Sequence, residues 1–389
     1  MGKKLILTQI VKNEEKVIER MLNSIKSIVD CVVIVDTGST DSTINKINNW
    51  GSENNIETHV FEREFDNFEN SRNYSIEKAL EITMDRKEDE YWGFWLDADE
   101  EIIIENNFNK NSLEKDIYML SVEMKNTSYT RNEVFKLKSG FKFYGPVHEF
   151  LVPINKNKKM TAGTLDGLKV KVNTDGYSWQ EGRAKKYSKH AMILENYILE
   201  NSDPRWLFYT AQSWHDSANT DDNSYNIERL RRAIKFYKMR VDNPNGYKEE
   251  RYYSQFKIGM IKSVIEDDWL ETKRELLKAY AMDPLRGESM KCIIDYYQKI
   301  GEWNLAYFYS KSCYEKFHNK SPYPKRLLFI DQSLHDYKFL ELHMYSAAYC
   351  NQKDEAKVLA KKLKTIDINK IKEKDIEKIK SNIPKILNL

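Results

Sequence analysis

Tyr91-Trp92-Gly93-Phe94-Trp95-Leu96-Asp97-Ala98-Asp99-Glu100 is a short aromatic and apolar run that stops at two aspartates one residue apart. A bounded apolar run of this length reads as a buried strand, here over residues 92–96. Carboxylates at the end of such a strand stand at a sheet edge, where open α/β sheets bind their ligands. Alternate residues of an extended segment share a face, so Asp97 and Asp99 are expected to point at one object. Hard divalent cations favour carboxylate oxygens, which makes a cation the simplest such object. An ordinary strand end followed by a polar turn has the same local sequence, so the decision rests on the flanking chain.

Upstream, residues 4–11 read as a strand, and Val17, Ile18, Met21, Leu22, Ile25 and Ile28 follow at helical spacing. Asn13 is placed to cap that helix, with Glu14 and Glu15 in its first turn, where acidic side chains suit the helix dipole. Residues 31–35 form a second buried strand, ending in Asp36-Thr37-Gly38-Ser39-Thr40-Asp41, a turn that opens a helix reaching about Asn54. A third strand is expected over 57–61 and a third helix over 67–79, the latter containing Ser71-Arg72-Asn73. Strands alternating with helices imply parallel βαβ units under helical cover. Downstream, residues 117–125 alternate as a strand, and 131–137 with 141–143 read as a hairpin turning at Lys138-Ser139-Gly140. Gly145-Pro146-Val147-His148-Glu149 is a turn able to deliver an acid/base pair to a cleft. Residues 169–172 read as a last strand before Asn173-Thr174-Asp175-Gly176-Tyr177.

In order and spacing, Thr8…Asn13-Glu14-Glu15, Val35-Asp36-Thr37-Gly38-Ser39-Thr40-Asp41, Ser71-Arg72-Asn73 and Leu96-Asp97-Ala98-Asp99 resemble the family 2 glycosyltransferases with the GT-A fold. That resemblance implies a Rossmann-like α/β nucleotide-diphospho-sugar transferase domain over residues 1–180. It assigns Asp36 to the donor's base, Glu14 to the base or ribose, and Arg72 to the nucleotide or its diphosphate. Asp99 resembles the direct ligand of a Mn2+ or Mg2+ ion, and Asp97 the group that bonds the ribose or a metal-bound water. The Gly-X-Val-His-Glu element resembles that of a subgroup including S-glycosyltransferases acting on bacteriocin peptides, which places Glu149 or His148 near the transferred sugar. Either is then a candidate general base, and His148 is alternatively a metal ligand. Relatives carry a histidine just before the Gly-Tyr pair, closing the metal site. Thr174 and Asp175 stand there in this chain, so Asp175 and His148 are the candidates for a third ligand. Ser39 and Asp41 read as helix caps and Glu15 as a solvated first-turn residue. A Rossmann dehydrogenase is disfavoured because no Gly-X-Gly-X-X-Gly follows the first strand, and no P-loop occurs. A nucleotidylyltransferase would want a Gly-rich, Lys/Arg-bearing loop where Gln9-Ile10-Val11-Lys12-Asn13 stands.

At 389 residues the chain is comfortable for two domains. A formal net charge of +2 offers no electrostatic case for an obligate nucleic-acid binder. Cys31, Cys292, Cys313 and Cys350 lack metal-like spacing, and reduced thiols in a cytoplasmic protein are the simplest expectation. The opening apolar run is too short for a signal-peptide core, and no run of about 18 apolar residues crosses a membrane. Gly2 suggests myristoylation, but Ile6 occupies the position that needs Ser or Thr.

From about Glu181 the pattern is helical, over 205–216, 227–240, 250–265, 269–282, 288–300 and 303–317, with 334–350 and 354–366 as a further pair. Asp268-Trp269-Leu270 and Glu302-Trp303-Asn304 open successive second helices 303 − 269 = 34 residues apart. Asp242-Asn243-Pro244, Met282-Asp283-Pro284 and Lys320-Ser321-Pro322 punctuate the pairs. This is the layout of tetratricopeptide repeats, so residues 181–389 are expected to form an all-α repeat domain. Its aromatic stripes read as inter-helix core, and its lysine-rich end as solvated helix. The leading reading is a metal-dependent inverting glycosyltransferase moving a sugar from a nucleotide sugar, a UDP-sugar above others, to a peptide, protein or glycan. The competing reading is a binding or scaffold protein whose repeats hold a partner and whose sugar-nucleotide domain is inactive. Acceptor selection or homodimerisation are the two roles open to the repeats.

Overall fold

A computed structural model of the chain describes residues 2–124, 127–219, 224–265, 268–318, 320 and 329–389. It divides into two compact units, Met1–Tyr197 and Ile198–Leu389. The first begins with β1 (Gly2–Val11), α1 (Ile18–Ile25), β2 (Cys31–Asp36), α2 (Thr43–Asn54), β3 (Glu57–Glu62), α3 (Phe68–Thr83) and β4 (Asp89–Phe94). It continues with β5 (Glu100–Ile104), β6 (Ile117–Met124), β7 (Thr127–Lys136), β8 (Phe141–Tyr144), β9 (Phe150–Pro153) and β10 (Ala162–Val172). Two helices, α4 (Tyr177–Gln180) and α5 (Arg183–Tyr197), close this unit. The sequence pattern places residues 181–197 with the helical region, whereas α5 is compact with the α/β unit.

One mixed sheet of order β3-β2-β1-β4-β7-β6-β10-β5 runs through the unit, with β8 and β9 as a separate two-stranded sheet. Strands β3, β2, β1 and β4 pair in parallel. Alternation sorts their side chains. Leu5, Leu7, Val32 and Ile34 face Ile18, Met21, Leu22 and Ile25 of α1 and Ile47 and Trp50 of α2. Ile6, Cys31 and Val33 pack on the opposite face with Ile76 and Ala79 of α3. After β1 the chain adds β2 on one side and later returns to place β4 on the other. The carboxyl ends of β1 and β4 thus flank the point where strand order reverses, the usual ligand crevice of an open sheet.

Three local expectations need correction. The strand that leads to the aspartates ends at Phe94, so Trp95–Asp97 lie in a loop and Asp97–Glu100 form a turn. Glu100 N–H donates to the Asp97 carbonyl (3.0 Å) and Asp97 N–H to the Glu100 carboxylate (2.9 Å), which closes the turn from both ends. Asn13 does not cap α1, which starts five residues later. It sits at φ 56° and its side-chain oxygen accepts from Thr40 N–H (2.8 Å), tying the first loop to the Asp36–Asp41 turn. Residues 131–137 and 141–143 are not a hairpin. β7 pairs with β4 and β6, and β8 pairs with β9 across the loop holding His148 and Glu149. Lys125, expected to end a strand, lies outside the described residues.

The second unit holds α6 (Pro204–Ala218), α7 (Ile227–Asp242), α8 (Lys248–Ile265), α9 (Trp269–Met282), α10 (Glu288–Lys299) and α11 (Trp303–Phe317). It ends with α12 (Phe339–Tyr349), α13 (Lys353–Lys364) and α14 (Glu373–Leu387). Each helix packs on the next, and α8, α10 and α12 also touch in turn, as stacked helix pairs do. Trp269 stacks on Tyr296 with ring centroids 3.5 Å apart, and Trp303 stacks on Tyr349 at 4.2 Å. The two tryptophans that set the 34-residue spacing therefore make the same kind of contact with the following helix. Ser321 and Pro322, read as pair-end punctuation, lie outside the described residues. Among the described residues no helix is long and apolar enough to cross a membrane.

Candidate active site

Three loops meet at the carboxyl edge of β1 and β4. The first follows β1 and carries Glu14, whose backbone N–H donates to Thr43 Oγ1 (2.8 Å). The second is the Asp97–Glu100 turn. The third follows β10, whose pairing with β5 sets Val172 opposite Glu100. Asn173 then donates from its backbone and its side chain to the Asp99 carbonyl (both 3.1 Å). This brings Gly176 directly over the cluster. A Cβ added there would lie 3.2 Å from Asp99 Cγ and 3.2 Å from Glu14 Oε2, so a side chain at this position would crowd both carboxylates.

Glu14, Asp97 and Asp99 are thereby crowded together. Burial, then the neighbouring Asp99 and Asp97 charges, push the Glu14 carboxyl up to about 7, against a hydrogen bond from Tyr177 N–H (3.0 Å). Burial and the Asp97 charge likewise raise Asp99, and the hydrogen bond that opposes them, from Gly176 N–H, is long (3.5 Å). For Asp97 burial opposes the charge, but the guanidiniums of Arg72 and Arg131 outweigh it and hold the carboxyl low. Such a set of oxygen donors, in which Glu14 and Asp99 form no ion pair among the described residues, fits a hard divalent cation. The closest His/Cys/Asp/Glu trio among the described residues, with ligand atoms within 4.8 Å of one another, lies elsewhere, at Cys31, Glu57 and His59. There Arg86 occupies both Glu57 oxygens (2.5 and 2.8 Å). The Glu14–Asp97–Asp99 group is an open one, and cations shared with a substrate phosphate are held by few protein ligands.

Arg72 links this group to the His-Glu loop. Its Nη2 donates to Asp97 Oδ1 and its Nε to Glu149 Oε1, both at 2.6 Å. The guanidinium lies 4.5 Å from the Trp95 ring centre, and Arg131 lies 4.2 Å from the same ring. Asn73, one residue on, donates to the Phe143 carbonyl (3.0 Å) and accepts from Phe143 N–H (2.7 Å), pinning β8 to α3. Ser71-Arg72-Asn73 therefore orients two loops, and Arg72 Nη1 stays buried without a partner. The loop itself bends sharply, with Gly145 at φ 113° and His148 at φ 54°, a conformation a side chain rarely adopts. His148 faces His190 of α5, ring centres 5.6 Å apart.

Asp36 is buried at the end of β2. One oxygen accepts from Gly38 and Ser39 N–H (3.0 and 2.9 Å), while Oδ1 is buried without a partner. Buried acceptors left unpaired are costly unless a ligand completes them. Ser39 accepts from Asn13 N–H (2.9 Å), and Asp41 from Thr43 N–H at the start of α2 (3.0 Å). Asp175 is drawn away from the group, since both its oxygens accept from Arg20 (2.8 and 2.6 Å). Lys186 and His190 were not singled out in the sequence. Lys186 stands among lysines, and only its spacing to His190 and the buried Leu194 along one helix face distinguishes it.

Residues 10–106 match the family model for glycosyl transferase family 2. The chain carries a family 2 glycosyltransferase domain of GT-A fold, followed by a helical region. Among curated proteins it resembles the SPbeta prophage-derived glycosyltransferase SunS of Bacillus subtilis (strain 168), 24% identical over 256 residues, covering 63% of this chain and 54% of that one. Glycosyltransferase SunS of Bacillus phage SPbeta matches to the same extent. The chain spans about half the length of the curated relatives it matches. Among solved structures, residues 1–349 of S. aureus TarS in complex with UDP-GlcNAc align at 14% identity and a TM-score of 0.35, covering 70% of this chain and 92% of that one. A thermophilic TPR protein of Thermus thermophilus aligns at 14% identity and a TM-score of 0.30, covering 55% of this chain and 96% of that one.

Proposed function

We propose that this chain is a metal-dependent, inverting glycosyltransferase that uses a nucleotide sugar, a UDP-sugar above others, to glycosylate a peptide, protein or glycan in the cytoplasm. The observation that carries the reading is the Arg72 bridge. One buried guanidinium ties the carboxylate group at the strand-order reversal to a glutamate in a separate loop. In this reading the unpaired Asp36 Oδ1 accepts from the donor's base. Asp99, with Asp97 and Glu14 beside it, holds Mn2+ or Mg2+, which supplies charge neutralisation to the departing diphosphate. Glu149, fixed at one oxygen by Arg72, takes the acceptor's proton. The acceptor's electron pair forms the new bond to the anomeric carbon as the bond to the phosphate oxygen breaks. That oxygen keeps the bonding pair and leaves on the nucleoside diphosphate. One base and one displacement invert the anomeric centre. His148, edge-on to His190, orients the Glu149 loop. The stacked helix pairs of the second unit select the acceptor, since solenoids of this kind offer extended surfaces for polypeptides.

The test is a screen of nucleotide sugars for donor hydrolysis, with and without Mn2+, read by mass spectrometry. Metal-stimulated hydrolysis of one donor is the expected result. Failure of every nucleoside diphosphate and nucleotide sugar to bind, at any metal concentration, leaves the binding-module reading in its place.

A further inference from the structure

The acidic group has a cationic neighbour that is bound to none of it. Lys186 lies in the first turns of α5, a helix whose other nearby lysines are spent on the surface. Lys185 and Lys189 both pair with Glu181. Lys186 Nζ instead donates to the hydroxyl of Ser178 (2.9 Å) and sits 3.9 Å from the ring centre of Trp179. Among the described residues it forms no ion pair, yet the charges acting on it are those of Asp97, Asp99, Glu14 and Glu149. Burial lowers its pKa, and these four carboxylates oppose that. Burial and the Lys186 charge together push His190 down to about 4, so this face of α5 presents an ammonium beside a neutral imidazole.

A partly buried ammonium held by a hydroxyl and a ring, with carboxylates near but not in contact, is poised for an anion that arrives between them. We propose that Lys186 pairs with the diphosphate of the donor and stabilises the charge released on the departing nucleoside diphosphate. The inference rests on the nucleotide-sugar reading and adds a specific group to it. Lysine suits the role as a compact point charge able to leave one neutral partner for a phosphate oxygen. No proton is transferred by Lys186. The electron pair of the broken bond between the anomeric carbon and the phosphate oxygen stays on that oxygen, beside the ammonium.

The experiment compares wild type, Lys186→Ala, Lys186→Gln and Lys186→Arg by calorimetric titration with UDP and with uridine, at fixed Mn2+ and two salt concentrations. Loss of a charge-assisted contact is expected to weaken UDP binding about tenfold or more in the Ala and Gln variants, with uridine affinity unchanged. The Arg variant should recover most of the loss, and the salt dependence of UDP binding should be shallower without the charge. Circular dichroism melts identify a variant that has simply lost its fold, and the glutamine variant keeps the volume of the side chain. Equal UDP affinity in wild type and in a folded glutamine variant overturns the assignment of Lys186 alone. Wild type that binds none of UDP, GDP, CDP, ADP and dTDP overturns the nucleotide-sugar reading and this inference with it.

Discussion

The α/β unit and the helical unit both bury charge, and they treat it in opposite ways. In the helical unit Arg240 is wholly buried, and its three nitrogens donate to Glu250 (3.1 Å), the Asn243 carbonyl (3.0 Å) and the Tyr247 carbonyl (2.8 Å). Arg286 donates to Glu288 (2.9 Å) and to the Phe329 carbonyl (2.7 Å), and Lys338 reaches Glu341 and Asp375, each at 2.7 Å. Each of these cations is paired within the protein, although Glu341 Oε1 accepts no hydrogen bond. At the edge of β1 and β4, Glu14 and Asp99 are pushed upward by burial and by like charge, Asp36 keeps a bare oxygen, and Lys186 stands off. Buried charge that only holds a fold is compensated within the protein, because leaving one member alone is strongly destabilising. Charge left short of compensation marks a place where a ligand completes the balance.

The sharpest way to break this comparison is Asp99→Ala. Transfer and metal-dependent nucleotide binding should fall below detection, while the protein stays folded and its stability holds or rises as crowding with Asp97 and Glu14 is relieved. A variant that keeps wild-type turnover at equal metal removes Asp99 from the metal site. The mirror experiment is Arg240→Ala, which leaves buried Glu250 to the longer Arg205 pairing (3.7 Å) and frees the Asn243 and Tyr247 carbonyls. It should cost about 3–5 kcal/mol in denaturant unfolding, with nucleotide affinity untouched in the fraction that remains folded. If Asp99→Ala unfolds the protein and Arg240→Ala does not, the distinction between the two regions is reversed.

A smaller effect is expected from Asp36→Ala. Its bare oxygen offers one charge-assisted hydrogen bond, worth roughly 1.5–3 kcal/mol, so nucleotide affinity should drop about 10- to 100-fold. Metal dependence should change little, and unchanged donor affinity would show that Asp36 serves only the turn at Gly38 and Ser39.

The smallest effect belongs to an intermediate case, where Arg131 is shared by the buried Glu100 and Glu133. Burial pushes Glu133 up to about 8, with Arg131 opposing and the Glu100 charge adding. The unfolded chain ionises this group near pH 4.3, while the folded chain holds the proton to about pH 8. Between those values the unfolded state binds fewer protons, so the group makes stability fall as pH rises. Glu133→Gln should flatten that part of the melting-temperature profile. A profile as steep as wild type's would show that Glu133 is ionised in the folded protein.

Much of the fold was legible because burial imposes a period. The strands at 31–36 and 57–62, the helix ending at Asn54 and the six helices from α6 to α11 lie within a few residues of their expected places. The misreadings fall where local pattern does not decide. Asn13 has the chemistry of a cap, but its side chain is claimed by Thr40 of another loop. The run at 92–96 continues apolar past its strand because Trp95 is covered by two guanidiniums. Residues 141–144 look like the return arm of β7, yet Asn73 holds them to α3 and their partner is β9.

The amino-acid sequence by itself determined that parallel βαβ units precede a run of paired helices. It also placed Glu14, Asp36, Asp97 and Asp99 in loops that such a sheet gathers at one edge. Period and turn chemistry are local, and they suffice for that. Only the tertiary structure decided which charges meet. Arg72 and Glu149 are 77 residues apart and Arg20 and Asp175 are 155 apart. Those encounters depend on strand order and register, which set Val172 beside Glu100 and so carry Gly176 over Asp99 while Asp175 turns to Arg20. In sequence Lys186 differs from Lys185 and Lys189 only by sharing a helix face with His190 and Leu194, and that face becomes an inner one only once α5 has something to pack against.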